Sequence, residues 1–341
     1  MPHYVGLDAS KATTNICILD DNGETVREGV VETEPGAIVQ YLRGDRLRYR
    51  RVGIESMSFT PWLYEGMAKA GLPVICIEAR HSSSVLKRRL NKTDRNDARG
   101  IAEIMRAGVY KAVHVKTVES RQAKLVLTAR RHLSQKCRDI DNLIRATLLQ
   151  AGFKIAAGRV YSFDQRADAM IRSEGVLRDV MDALLAARRA IASQVEALSQ
   201  RVSDLAAQDT VCRNFMTVPG VGPITALAFR AAVDVPQRFA RSRDVGVHLG
   251  LTPRSYRSGR IDRKGRISRC GDAQARAALY MAARSIMQAR TRTTSLKTWG
   301  SGVIAARGYS KGVIAVARKL AVVLHRMWIA GEAFRSEPNA A

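Results

Sequence analysis

The hydrophobic pattern of the chain changes near residue 118, and this change limits the folds open to it. Before that point, short apolar runs alternate with amphipathic stretches, as in "YVGLDASKATTNICILDDNGETV", "RVGIES" and "PVICIEA". After it, apolar residues recur at three- and four-residue spacing, with charged residues between them. The first pattern is typical of an α/β layer with a mixed or parallel sheet, and the second is typical of long amphipathic helices.

This change and a second one near residue 208 predict three regions. Residues 1–117 form an α/β domain, residues 118–208 a helical coiled-coil linker or oligomerisation region, and residues 209–341 a mostly helical domain. The middle region predicts an antiparallel helix pair with coiled-coil character, joined around Gly152–Phe163. Two interpretations stay open for this pair, because its helices could pack only within one subunit or could form a dimer interface.

The composition favours a polyanionic partner. The 56 Lys and Arg residues against 31 Asp and Glu residues give a net charge of +25. Such a surplus is maintained against self-repulsion, and nucleic acid is its usual partner. Membrane-surface binding and simple solubility are the alternatives, and a hydrophobic content of 46% argues against wholesale disorder.

The cysteines and the apolar runs predict a cytoplasmic protein. The five cysteines lie far apart with no CxxC pair, which argues against a disulfide framework and a zinc ribbon and fits a reducing compartment. We find neither an apolar run long enough to span a membrane nor a signal peptide in the sequence.

Four carboxylates form the first candidate site. Asp8 and Glu55 lie in predicted strands that should otherwise be apolar, and Asp94 and Asp97 lie at the start of a helix that begins near Thr93. Asp94 could simply cap this helix, with Asp97 one turn on in the favourable field of the helix dipole. Each strand acid could likewise form a salt bridge.

The alternative interpretation is that the four carboxylates share a metal. Such a cluster needs a counter-charge, and its oxygens suit Mg²⁺ or Mn²⁺. One ion, or two ions about 3.5–4 Å apart, would clamp and polarise a phosphodiester. Glu78 in "ICIEA" is a rival ligand that we rank below Glu55.

The second candidate site is a basic, Gly/Ser-rich segment, "GLTPRSYRSGRIDRKGRISRCGD", which we expect to be a loop. Its serines could be solvated within a phosphate-binding loop, or one of Ser255, Ser258 and Ser268 could be a nucleophile toward phosphorus, assisted by nearby arginines. The basic residues of the segment and the helix after it are Arg254, Arg257, Arg260, Arg263, Lys264, Arg266, Arg269 and Arg276. Upstream, "VPGVGPITA" predicts a helix-hairpin-helix turn in which Gly220 and Gly222 would bring backbone N–H groups to a phosphate.

These motifs together resemble the DEDD-type insertion-sequence transposases of the IS one-ten family, which are related to the Piv invertases. The resemblance covers nearly the whole chain and rests on "VGLDASK", "GIES", "NKTDRNDA", "VPGVGPITA" and "GLTPRSYRSG", in this order. It implies a RuvC-like N-terminal domain with the RNase H fold, in which Asp8, Glu55, Asp94 and Asp97 bind Mg²⁺. It also implies that Ser258 in "YRSG" is the nucleophile that becomes joined to a DNA phosphate.

The resemblance further implies the partners. The metal site and the serine would form a composite active site with contributions from different subunits of a dimer or tetramer. A non-coding bridge RNA would pair with target and donor DNA, and the protein would be bacterial and associated with the nucleoid.

We therefore predict a recombinase that cuts and rejoins DNA strands by transesterification. Arg254, Arg257 and Arg260 are candidate phosphate contacts, chosen because they lie near Ser258 in the sequence. The alternatives are a metal-dependent junction resolvase or nuclease and a non-catalytic nucleic-acid-binding scaffold.

Overall fold

The computed structural model describes most of the chain and divides it into two compact units. The units are Met1–Lys116 and Thr117–Ala341. The described residues are 1–44, 47–79, 93–155, 163–170, 175–258, 261–288 and 293–335. Within the described ranges, no helix is long and apolar enough to cross a membrane.

The first unit is built on a five-stranded sheet. Its strands are β1 His3–Ala9, β2 Thr13–Leu19, β3 Thr25–Glu32, β4 Tyr49–Glu55 and β5 Val74–Ile77. The order across the sheet is β3-β2-β1-β4-β5. The pairs β1–β2 and β2–β3 are antiparallel, whereas β1–β4 and β4–β5 are parallel. The carboxyl ends of β1, β4 and β5 therefore lie at one edge of the sheet.

Helices cover both faces of this sheet. They are α1 Pro35–Arg43, α2 Thr60–Lys69 and α3 Asp94–Ala107. Val5 and Leu7 of β1 face the side where Ile38 of α1 and Leu63 of α2 are buried. Because side chains alternate along a strand, Gly6 faces the opposite side, where α3 packs.

The second unit begins with a pair of long antiparallel helices, α4 Val118–Gln150 and α6 Val176–Gln208, with the short helix α5 Phe163–Asp168 between them in the chain. Arg130 of α4 donates to Ser199 Oγ of α6 at 2.7 Å. Further along the pair, the guanidinium of Arg188 in α6 donates to Asp141 Oδ1 in α4 at 2.5 Å. Between these two contacts, the apolar residues along the α4–α6 pair, which we call the seam, are only half-buried, as at Leu133.

The remaining helices enclose a separate core. They are α7 Thr210–Met216, α8 Pro223–Val233, α9 Ser242–His248, α10 Ala273–Gln288, α11 Ser295–Arg307 and α12 Tyr309–Ala330. Phe215 and Phe229 pack edge to face in this core, with ring centroids 5.4 Å apart, and Leu279 and Leu320 are fully buried beside them. The predicted combination of an α/β N-terminal part and a helical C-terminal part is thus confirmed.

The prediction of a basic loop after residue 250 was wrong. The segment forms an antiparallel hairpin of β6 Pro253–Ser258 and β7 Ile261–Ile267, in which Tyr256 pairs with Arg263. The described side chains of β6, from Pro253 to Tyr256, are all exposed. Apolar alternation could not reveal these strands, because polar and charged residues dominate their sequence.

Candidate active site

Two of the four predicted carboxylates lie at the same edge of the sheet. Asp8 is the penultimate residue of β1 and Glu55 is the last residue of β4. In the parallel ladder between these strands, Leu7 lies opposite Ile54, so the two acids occupy the next position on neighbouring strands. Both are half-buried.

Two glycines bring α3 onto the face of the sheet that carries these acids. A Cβ atom at Gly6 would overlap the carbonyl oxygen of Ala98 in α3, and one at Gly53 would lie 2.6 Å from Met105 Cγ. Asp8 and Glu55 each lie two positions after one of these glycines, and residues two apart share a face of a strand. Asp8 and Glu55 therefore lie on the α3 side of the sheet.

The start of α3 does not use Asp94 as its cap. Thr93 is the N-cap, and its hydroxyl accepts a hydrogen bond from the Asn96 N–H at 3.2 Å. The capping interpretation of Asp94 was therefore wrong, because a threonine one residue earlier performs this function. Asp94 and Asp97 lie in the first turn of the helix, where its dipole favours negative charge.

The direction of α3 brings its first turn to the edge where Asp8 and Glu55 lie. Ala98 packs on Gly6 in β1, whereas the carbonyl of Met105 accepts from Arg51 at the start of β4. The helix thus runs opposite to β1 and β4, and its N-terminus lies at their carboxyl ends.

The four acids have the chemistry of a divalent-cation site, since carboxylate oxygens are the donors that Mg²⁺ and Mn²⁺ prefer. Their side chains do not yet enclose an ion. In the part of the chain that the structure describes, no three His, Cys, Asp or Glu side chains are arranged to hold a metal. The backbone brings the four donor-bearing residues to one edge of the sheet.

Two nearby side chains, Glu78 and Cys17, are less suited than these four acids to bind a metal. Glu78, the rival considered above, forms an ion pair with Lys111, with 2.6 Å between Lys111 Nζ and Glu78 Oε2. Burial, reinforced by the Glu28 carboxylate, raises the pKa of the Cys17 thiol to about 12. Cys17 is therefore protonated at neutral pH, and a protonated thiol is a poor metal ligand.

Thr60 fixes the backbone at Glu55 and was missed in the sequence. Its hydroxyl donates to the carbonyl of Glu55 at 2.6 Å and accepts from the Met57 N–H at 2.9 Å. A threonine that directly precedes the Pro61 of a helix start reads as an ordinary helix-start residue, so nothing in the sequence pointed to this role.

The predicted serine lies at the end of a strand. The structure places the backbone of Ser258 at the last position of β6, opposite Ile261 in β7, while the side chains of Ser258 and Arg257 fall outside the described part. Arg260 lies outside the described residues altogether. Arg254 is exposed, and its guanidinium donates to the Ser268 carbonyl at 3.2 Å, so part of this side chain holds the hairpin together.

The base of the hairpin is a close crossing of two backbone segments. At Gly250 a Cβ atom would overlap Cys270, and at Gly271 one would overlap the His248 carbonyl. Both glycines have positive φ, of 66° and 69°. Arg276 donates to the Leu249 and Cys270 carbonyls at 3.1 and 2.9 Å and so ties the two segments together. We call residues 248–251 and 268–271 the stem.

The two glycines of the predicted helix-hairpin-helix turn differ in their surroundings. The turn lies between α7 and α8. Gly220 has a φ of 84° and packs against α10, where a Cβ atom would lie 2.9 Å from Ile286 Cγ1. Gly222 is the N-cap residue of α8, and among the described residues other than its chain neighbours, no atom lies within 4 Å of the place a Cβ would take. Of the two, Gly222 has the space that a phosphate would need.

Comparison with known proteins matches two stretches of the chain to one family. A model described as the transposase IS116/IS110/IS902 family matches residues 212–297, and a model of the IS110-type DEDD transposases matches residues 5–153. The second match includes all four candidate acids, and the first includes the hairpin with Ser258.

Individual relatives agree along most of their length. The chain is 26% identical to the transposase for insertion sequence element IS1111A of Coxiella burnetii, over 97% of this chain and 91% of the relative. It is 25% identical to the transposase for insertion sequence element IS1328 of Yersinia enterocolitica, over 79% of this chain and 81% of the relative. With the two family models matched in order along one polypeptide, the chain belongs to the IS110/IS116/IS902 family of insertion-sequence transposases, enzymes that act on DNA.

Proposed function

We propose that this transposase cuts and rejoins DNA through a covalent intermediate on Ser258. The serine Oγ attacks phosphorus, the bond from phosphorus to one strand oxygen breaks, and a free hydroxyl leaves. The hydroxyl of another strand then attacks the phosphorus of the phosphoserine, the bond from phosphorus to Ser258 Oγ breaks, and the new phosphodiester forms as the serine hydroxyl is regenerated, so no ATP is needed. The observation that carries the proposal is the position of Ser258 on an exposed, strongly basic hairpin within the matched family domain.

We propose that Asp8, Glu55, Asp94 and Asp97 hold a divalent metal ion, Mg²⁺ or Mn²⁺, at the edge of an RNase H-like, resolvase-type sheet. The strand order and the convergence of the four acids at one edge support this assignment. When bound, such an ion supplies positive charge that polarises a phosphodiester.

Metal binding is measured without reference to activity. Titration of the full-length protein with Mn²⁺, followed by electron paramagnetic resonance, should give a site that Asp97→Asn weakens at least tenfold. Glu103→Gln, a substitution further along α3, is the matched control and should bind as the wild type does. Equal binding by both variants would contradict the carboxylate site.

The serine is tested by trapping the protein on DNA. Wild-type protein incubated with RNA transcribed from the ends of its own element and with DNA that carries those ends should give a protein–DNA adduct that survives denaturing electrophoresis. Ser258→Ala should lose the adduct completely. Ser255→Ala, in the same exposed strand, should keep it. A Ser258→Ala variant that still cuts DNA would favour the alternative, a metal-dependent nuclease that activates water.

We further propose that residues 118–208 are the oligomerisation region of a dimer or tetramer. Residues 209–341 form the transposase domain in this proposal, and a bridge RNA selects target and donor DNA. The half-buried seam of the α4–α6 pair supports the first point, and the charge of +25 supports an RNA partner. Light scattering measures the number of subunits in the oligomer.

Sequencing of co-purified RNA should recover one transcript from an end of the element, whereas recovery of random RNA would contradict the proposal of a guide RNA.

A further inference from the structure

Tyr256 is an exposed aromatic residue in the middle of the hairpin. It is 59% exposed, and its partner across the ladder is Arg263, also exposed. Exposed tyrosines are common on protein surfaces, so exposure alone assigns no role. The surroundings of this one are more specific.

One side of the Tyr256 ring lies against the hairpin itself. The ring atom Cε2 is 3.6 Å from the point where a Cβ atom on Gly265 would stand, and the Arg254 Cβ is 3.8 Å from that same point. Gly265 lies diagonally across the ladder from Tyr256, so the ring rests on the place a side chain would otherwise fill. The ring is supported from within the hairpin and is open toward solvent.

The sequence of the hairpin that carries this ring is strongly basic. In the sequence of the hairpin, residues 253–267, six Lys and Arg residues stand against the single acid Asp262. An aromatic ring within a basic groove or ribbon is the arrangement that binds single-stranded nucleic acid, because every base has a face that can stack and every phosphate has a charge.

Tyr256 also lies at a defined spacing from the proposed nucleophile. It precedes Ser258 by two positions of the same strand, and backbone positions two apart are separated by about 6.6 Å. Stacked nucleotides follow one another at about 3.4 Å along a strand. About two such steps span the separation, so a phosphate at Ser258 leaves Tyr256 within reach of the first or second nucleotide beside it.

We propose that Tyr256 stacks on an unpaired base beside the scissile phosphate while Arg263 contacts the neighbouring phosphate. The inference rests on the proposed function, because strand exchange requires the cut end to leave one duplex and pair in another. The base next to the break then loses its stacking partner, and an aromatic ring replaces it.

The test compares two DNA probes of equal length, one fully paired and one with a three-nucleotide unpaired bulge that contains 2-aminopurine. Tyr256→Ala should bind the bulged probe on the order of 10- to 100-fold more weakly, and the quenching of 2-aminopurine fluorescence on binding should disappear. Its affinity for the paired probe should change less than twofold. Tyr256→Phe should retain both properties, because the ring rather than the hydroxyl stacks.

Two further variants separate stacking from charge and from general damage. Arg263→Ala should weaken both probes alike and reduce the dependence of log affinity on log salt concentration by about 0.7–0.9, the value of one phosphate contact. Tyr309→Ala, at an exposed tyrosine outside the hairpin, should bind like the wild type. Equal weakening of both probes by Tyr256→Ala would assign the ring to a duplex groove and overturn the stacking proposal, as would an unchanged affinity.

The adduct assay distinguishes this inference from the proposed function. If the wild type forms the Ser258 adduct but Tyr256→Ala keeps full preference for the bulged probe, the stacking role fails and the serine mechanism stands. If Tyr256→Ala loses that preference but the wild type forms no adduct, the binding role stands and the serine mechanism fails.

Discussion

The contact between Gly6 and α3 is the residue-scale feature on which the acid edge depends. Gly6→Ala forces a methyl group into the backbone of α3 at Ala98 and Ala102. We expect a loss of about 3 kcal/mol or more in the free energy of unfolding, because backbone atoms on a packed helix cannot move aside as a flexible side chain can. Urea denaturation followed by circular dichroism measures this loss.

The control for this substitution is Gly36→Ala in α1. In the described part of the chain, no atom outside the local helix backbone lies within 4 Å of the place where its Cβ would stand, and alanine is the better helix former. This variant should be as stable as the wild type or more stable by up to about 1 kcal/mol. If Gly6→Ala unfolds at the same urea concentration as the wild type, α3 does not pack on β1 as described.

Part of the acid edge could be predicted at the scale of single residues, and part could not. Asp8 and Glu55 stood out because an acid in an apolar strand is unusual, and the structure places both at one edge. The sequence suggested Asp94 as the N-cap of α3, whereas the structure has Thr93 there, because aspartate and threonine both favour that position. Gly6 and Thr60 went unnoticed because their roles depend on long-range packing and on a loop closed by hydrogen bonds, and neither leaves a local pattern.

At the scale of elements, the α4–α6 pair contains a buried charge cluster in the C-terminal half of α4 and the N-terminal half of α6. The Arg188 side chain, only 6% exposed, forms ion pairs with Asp141 and Asp164. Arg188→Ala leaves these carboxylates without their buried partner, and we expect a cost of about 3–5 kcal/mol in the free energy of unfolding. Chemical denaturation of the full-length protein measures it.

The neighbouring Arg189 supplies the comparison. It also contacts Asp164, at 3.4 Å, but is 57% exposed. Arg189→Ala should cost less than about 1 kcal/mol, because water screens an exposed pair. Similar losses for the two variants would mean that burial does not govern the strength of this cluster.

The elements themselves were largely predictable where apolar periodicity marks them. The strands of the first unit and the long helices α4 and α6 follow from alternation and from three- and four-residue spacing. The hairpin of β6 and β7 does not, because polar and charged residues dominate its sequence and its described residues from Pro253 to Arg266 are exposed. The segment that carries Ser258 is thus the one whose form had to be seen in the structure.

At the scale of the whole molecule, the charge of +25 makes binding to DNA strongly dependent on salt. Each phosphate contact releases counterions from the DNA, so affinity for DNA of unrelated sequence should fall on the order of 1,000-fold between about 50 and 200 mM salt. Fluorescence anisotropy with a labelled duplex measures this fall. An affinity that stays constant over this range would mean that the surplus charge does not face the nucleic acid.

The stem of the hairpin has a consequence for how such a chain can diverge. A side chain at Gly250 or Gly271 would overlap backbone of the opposite segment, whereas Tyr256 and Arg263 are exposed on the strands and have room to change. Selection for a stable protein and selection for a particular DNA therefore act on different residues of one short segment. A copy of the element can therefore change the exposed residues of the hairpin, which we propose contact DNA, while it keeps the stem that holds the hairpin in place.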